Sequence, residues 1–127
     1  MMTGGHEYNL EPRTLAFAKR TRLFVRRSPK TLGVIEDGRQ VVRASGSVGA
    51  NYIEANEALS RKDFLMRIRI CRKEAKECRY WFDLLENAVA SEHESERQSL
   101  RQEAHELMLI FAAILRSAQE GAKDAQA

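Results

Sequence analysis

The chain has little of several things. It carries two cysteines, two prolines and seven glycines in 127 residues, with 7% aromatic residues. Two prolines leave room for long uninterrupted helices, because proline is the residue that breaks them. Cys71 and Cys78 are seven residues apart on one helical face. At about 1.5 Å of rise per residue they lie roughly 10 Å apart, too far for a mutual disulfide. Buried reduced thiols are the expectation. His6, His93 and His105 show no ligand spacing with either cysteine, so no metal or other cofactor is expected. No apolar run approaches the roughly 20 residues that span a bilayer, and the segment MMTGGHEYNLEP has no signal-peptide centre. No membrane role and a cytoplasmic location are expected. Enzymatic signatures are also missing: no Ser–His–Asp pattern, no glycine-rich phosphate loop after a strand. Glu103 and Glu106 flank His105 at the wrong spacing for a di-iron bundle site. A non-enzymatic protein is expected.

Helical periodicity is abundant. Phe64, Ile68, Cys71, Ala75, Cys78, Phe82, Leu85 and Val89 recur at steps of four and three, a sustained heptad stripe. Leu100, Ala104, Leu107, Phe111, Ile114 and Ala118 repeat it, widened by Met108 and Leu115. A first helix opens near Pro12 and stops before Pro29. Its apolar row is read as Leu15, Ala18 and Val25, with Phe17 and Phe24 beside it. A second helix carries Val41, Ala44, Val48 and Ala55, interrupted by Gly38, Gly46 and Gly49. Either it bends at Gly46–Gly49 or the glycines admit a neighbouring backbone. A further row on this helix, Ile35, Val42, Gly49, Tyr52 and Leu59, is surplus to one bundle core. It is a candidate subunit interface. Ser60, followed by Asp63, is the cap of the third helix, and Ser91 or Ser95 that of the fourth. The spacing predicts helices over 12–28, 32–58, 60–89 and 95–119 and no strand. These fold most simply as one all-α domain, 1–127, an antiparallel up-down-up-down left-handed four-helix bundle with loose tails at 1–11 and 120–127.

Charge is segregated. Residues 13–79 hold 17 Lys/Arg against 7 Asp/Glu, while residues 80–127 hold 4 against 9. A basic half points to an anionic partner, or to acidic and basic surfaces meeting in a homo-oligomer. Opposite the core stripe of the third helix stand Lys62, Arg69, Lys73 and Lys76, flanked by Arg72 and Arg79. With the arginines of the first helix they would make a continuous basic surface suited to phosphates, or a solvated face kept charged for solubility. This face is read as having no aromatic for stacking bases. Arg43, Ser47, Asn51 and Glu54 share one face of the second helix. With Glu74 and Glu77 as charge partners for Arg43 or Arg67, they read as a polar network that sets register, or as a ligand site. Trp81, beside Tyr80 and Phe82, is a candidate interface anchor or a bundle-edge tryptophan.

The stretch Gln40-x-x-Arg43-Ala44-x-x-Ser47-Val48-Gly49-Ala50-Asn51-Tyr52-x-Glu54-Ala55 resembles the second-helix signature of the four helix bundle proteins, also called the rRNA intervening-sequence proteins. Ser60-Arg61-Lys62-Asp63-Phe64, Lys73-Glu74-Ala75-x-Glu77 and Tyr80-Trp81 resemble its third helix. Phe17, Ala18 and Pro29 also fit, so the resemblance covers about residues 13–118. It implies a left-handed up-down bundle that assembles as a homopentamer. Some members are encoded inside intervening sequences of bacterial large-subunit ribosomal RNA genes. A related branch resembles the accessory protein of diversity-generating retroelements, which implies a nucleic acid and a reverse transcriptase as partners.

The sequence therefore leads to a non-enzymatic, homo-oligomeric bundle acting as a scaffold, with RNA or DNA on its basic surface. The alternative is a protein–protein adaptor with an acidic protein partner and no nucleic-acid role.

Overall fold

A computed structural model describes residues 9–126. Four helices account for nearly all of them: α1 Leu10–Arg27, α2 Leu32–Asn56, α3 Arg61–Leu84 and α4 Ser91–Gln126. Three of the starts are capped by short polar side chains. Asn9 Oδ1 accepts from the Glu11 amide, Thr31 Oγ1 from Val34 and Ser60 Oγ from Asp63. Each satisfies an amide that a helix start leaves without a partner. Pro29 follows the end of α1, as its chemistry dictates.

The helices form an antiparallel four-helix bundle. Each packs on two others, leaving α1 diagonal to α3 and α2 diagonal to α4. Cross-helix pairs fix the direction: Arg13 meets Glu103 while Arg20 meets Glu96, and Asn51 meets Arg67 while Arg43 meets Glu74. Among the described residues there is no strand.

The stripes of α3 and α4 face inward as their spacing predicts. Ile68, Cys71, Ala75, Cys78 and Phe82 have no exposed surface, nor do Leu100, Ala104, Leu107 and Phe111. Phe82 is the hub. It meets Phe17 and Phe24 edge-on, with ring centroids 6.4 and 5.9 Å apart. Such pairs add about 0.5–1.5 kcal/mol each to the burial itself.

Several expectations are corrected. The core row of α1 is Leu10, Phe17 and Phe24, interleaved with Thr14, Thr21 and Ser28, whereas Leu15 is 55% exposed. Those three hydroxyls are buried because each donates to the carbonyl four residues earlier, those of Leu10, Phe17 and Phe24. Tyr52, placed in the surplus row of α2, lies in the core against Phe111, ring centroids 6.0 Å apart. Leu59 stands beyond the end of α2, fully exposed.

α3 stops at Leu84, five residues short of the expected end. Leu85 and Glu86 turn back onto the Trp81 and Asp83 carbonyls, and Asn87 adopts φ 65°. Asparagine tolerates that left-handed conformation better than other side chains with a Cβ. α4 begins at Ser91, so Ser95 lies within it, and it continues past Gly121 to Gln126 rather than fraying at 120. Of the expected loose tail at 1–11, residues 1–8 and with them His6 lie outside the described residues, while Leu10 and Glu11 are helical.

α2 is continuous through Gly46 and Gly49. The glycines admit close neighbours. A Cβ built at Gly38 would stand 2.9 Å from Val25 Cγ1, and one at Gly49 would stand 3.0 Å from Thr14 Oγ1.

Candidate functional site

Because its core stripe is turned inward, α3 must present the opposite residues to solvent. Lys62, Arg69, Lys73 and Lys76 are all exposed. Arg72 and Arg79 stand at the border with α4. Arg69, Arg72, Lys73, Lys76 and Arg79 line one groove of about 690 Å³, floored by Met108 and Ala112 of α4. Lys62 lies on the same helix face but outside the groove. Arg79 is steered: its Nη1 lies 2.7 Å from His105 Nδ1. A guanidinium can only donate, so Nδ1 accepts this hydrogen bond.

Four acidic residues of α4, Glu94, Glu96, Glu103 and Glu106, are engaged elsewhere. Arg13 makes a two-pronged bond to Glu103, 2.8 Å on each side, and reaches Glu106 at 3.0 Å. The Glu103 bond raises the pKa of Arg13, while hydrogen bonds from Gln102 and then Arg13 lower that of Glu106. Arg20 pairs with Glu96 and Arg97 with Glu94, while Arg101 of α4 pairs with Asp83 of α3. On the outer face of α3 Lys73 pairs with Glu77 at 3.8 Å, exposed, and Asp83, seven residues after Lys76, pairs with Arg101. Such exposed pairs hold little charge back from a ligand. The arginines of α1 do not extend this surface, contrary to expectation. α1 is diagonal to α3, and Arg13 and Arg20 are committed to α4. Residue spacing within one helix carries no information on which helices become neighbours.

The polar row of α2 faces α3. Arg43 lies 3.5 Å from both Glu74 Oε2 and Glu77 Oε1. Asn51 donates to the Ser47 carbonyl and hydroxyl and accepts from Arg67 Nη1 at 3.0 Å. Glu54 is exposed and joins neither group. Arg67, Glu74 and Trp81, spaced seven apart, each keep one buried polar atom without a protein partner: Nε, Oε1 and Nε1. Beside these residues, burial pushes the Cys71 thiol up to about 12, and burial likewise raises Cys78. Both are free, buried and far from nucleophilic. Among the described residues no cluster of three metal-ligating side chains forms. No helix of these is long and apolar enough to cross a membrane.

The outer face of α1 and α2 is different in kind. Two shallow grooves of about 320 and 350 Å³ run along it. The first is lined by Leu15, Ala18, Ala50 and Ile53, the second by Val25, Ile35 and Val42. Leu15, Ile35 and Ile53 are 41–55% exposed. From the surplus row of α2, Ile35, Val42 and Gly49 do reach this face, joined by Leu15, Ala18 and Val25 of α1, the row expected in the core.

Arg97 belongs to none of the motifs singled out above. It occupies the stripe of α4 three residues before Leu100, is 3% exposed, and donates from Nη1 to the Phe82 carbonyl at 2.9 Å. α4 thereby satisfies one of the terminal carbonyls of α3. Its signal was positional: an arginine continuing an apolar heptad, with Glu94 one turn earlier.

The family of 23S rRNA-intervening sequence proteins matches residues 13–113. The chain belongs to this family. A similar solved structure is a protein of unknown function from the S23 ribosomal protein family of Bacteroides thetaiotaomicron. It is 29% identical, with a TM-score of 0.70, over 84% of this chain and 97% of that one. No curated protein matches the chain. Family and neighbour agree on the helical bundle, and neither description names an activity.

Proposed function

We propose that this family member is a non-enzymatic, homo-oligomeric scaffold that binds nucleic acid in the groove between α3 and α4. One observation carries the reading: five cationic side chains converge on that groove while Glu94, Glu96, Glu103 and Glu106 of α4 pair with other arginines. Binding through phosphates is sequence-independent and sensitive to salt. If all five contact phosphates, the logarithm of affinity falls with a slope of about −4.5 against that of salt. This is a loss of several hundredfold between about 50 and 200 mM. The family's description names the 23S rRNA intervening sequence, so a structured RNA is the first probe.

The apolar grooves of α1 and α2 support a second copy as the occupant of the opposite side, and the resemblance favours a closed ring of five. In such a ring the basic groove repeats, and avidity for a long polyanion rises without any new contact. The test pairs two measurements on Arg69→Glu/Lys73→Glu/Lys76→Glu: sedimentation mass and RNA affinity at two salt concentrations. The expected result is an intact oligomer with affinity lost for every RNA alike. Unchanged affinity in an intact ring overturns the groove reading. Loss of assembly with little direct effect on binding makes this face a subunit interface instead.

A further inference from the structure

The basic face of α3 does carry an aromatic. Tyr80 follows Lys76 by four residues and Lys73 by seven, so the three share one helical face. They rise along it by about 6 and 10 Å. The neighbours that point inward, Cys78 and Phe82, have no exposed surface, whereas Tyr80 is 57% exposed. Its ring is also braced. It meets the half-buried Trp81 at 5.2 Å between centroids and 71° between planes. An edge-to-face contact of this kind occupies at most one face of the tyrosine ring and leaves the other open. A large aromatic held at the end of a row of cations, with one face in solvent, is the arrangement by which proteins hold unpaired bases.

We propose that Tyr80 is a stacking platform for an unpaired base. The ligand of the groove is then a single-stranded stretch of nucleic acid, its phosphates on Arg69, Lys73 and Lys76 and one base on Tyr80. The inference rests on the phosphate-binding reading of the same groove and adds to it a preference between strand states. Phosphate contacts alone do not supply that preference, because single strands and duplexes both carry phosphates. A π-face does, since every unpaired base offers one and a blunt duplex keeps its bases stacked inside.

The probe is an unstructured RNA of about twelve nucleotides, within the site sizes such surfaces cover, beside the blunt duplex it forms with its complement. Tyr80→Ala is expected to weaken the single strand about tenfold, the lower part of the range for one stacked base, and to change the duplex by less than twofold. Tyr80→Phe should retain single-strand affinity, because it keeps the ring. Trp81 is the sole tryptophan and touches Tyr80, so its fluorescence should respond to the single strand in the parent and not in Tyr80→Ala. Equal affinities of parent and Tyr80→Ala for the single strand, with both probes lost in the triple glutamate variant, overturn the stacking and leave the phosphate groove standing. Dissociation of the oligomer by Tyr80→Ala overturns it in favour of a subunit contact. Unchanged affinity in the triple variant removes the groove itself and the proposal with it.

Discussion

Replacing Arg97 by Met tests whether a buried guanidinium holds the lower end of the bundle together. Three effects compete. The hydrogen bond to the Phe82 carbonyl comes from a charged donor, so its loss costs about 1.5–3 kcal/mol and strands a buried acceptor. Against that, apolar replacement of a buried ion pair is often neutral or stabilising by about 1–4 kcal/mol, since the desolvated charges disappear. Here only one member of the pair is truly buried. Arg97 is 3% exposed, but the side chains of Glu94 and Glu86 are 30% and 64% exposed and stay hydrated without it. Methionine keeps most of the apolar stem, so cavity formation is small. The carbonyl term therefore dominates, and a net loss of about 2 kcal/mol is expected. In urea, with a slope of about 2 kcal/mol per molar for a chain of this size, the midpoint falls by about 1 M at fixed protein concentration. The parent should also be more acid-sensitive than the variant. Glu94 is held below its ordinary pKa, first by the hydrogen bond from Arg97. Its contribution is present above the ordinary glutamate range and is lost as pH falls through the lowered folded value. An unchanged or raised urea midpoint would refute the reasoning and show the guanidinium to be a net cost.

Gly38→Ala gains helix propensity of about 1 kcal/mol but drives a Cβ to 2.9 Å from Val25 Cγ1, a side chain stiff in a helix. A net loss of about 1 kcal/mol is expected in thermal or urea unfolding, reversing to a gain when Val25 is also alanine; no reversal would place the strain elsewhere. A Cβ built at Gly33 would meet nothing within 4 Å, so Gly33→Ala should be neutral or stabilising by up to about 1 kcal/mol in the same unfolding assay. Cys71 and Cys78 should label with a maleimide at pH 8 only on unfolding. Their raised folded pKa values mean that stability is intact below about pH 9 and declines as pH rises towards 12, the unfolded thiols ionising first. Fast labelling of the folded chain would contradict their burial.

The fold was legible in residue order alone. Heptad spacing in α3 and α4, proline after α1 and short polar caps are local properties, set by 3.6 residues per turn and by amides without partners. They determined four helices, an antiparallel bundle, the inward stripe of Phe64 to Leu85 and the outward basic face of α3. Much of the candidate site followed from the same periodicity, because a face opposite a buried stripe has to be exposed. Tertiary structure decided what periodicity leaves degenerate. Phe17 and Leu15 lie on different faces of α1, both apolar, and only packing against Phe82 selects Phe17 for the core. Tyr52, four residues after Val48, fits that row as well as the surplus one, and it packs in the core against Phe111. Gly38 and Gly49 are helix-weakening in sequence, yet they pack because Val25 and Thr14 come close. Which charges remain free was likewise a matter of neighbours. α1 lies beside α4 and diagonal to α3, so Arg13 and Arg20 are consumed by glutamates some ninety and seventy-six residues away, and the groove of α3 keeps its cations. Spacing along one helix specifies directions around its axis; which partner stands in each direction is decided only when four helices close around a common core.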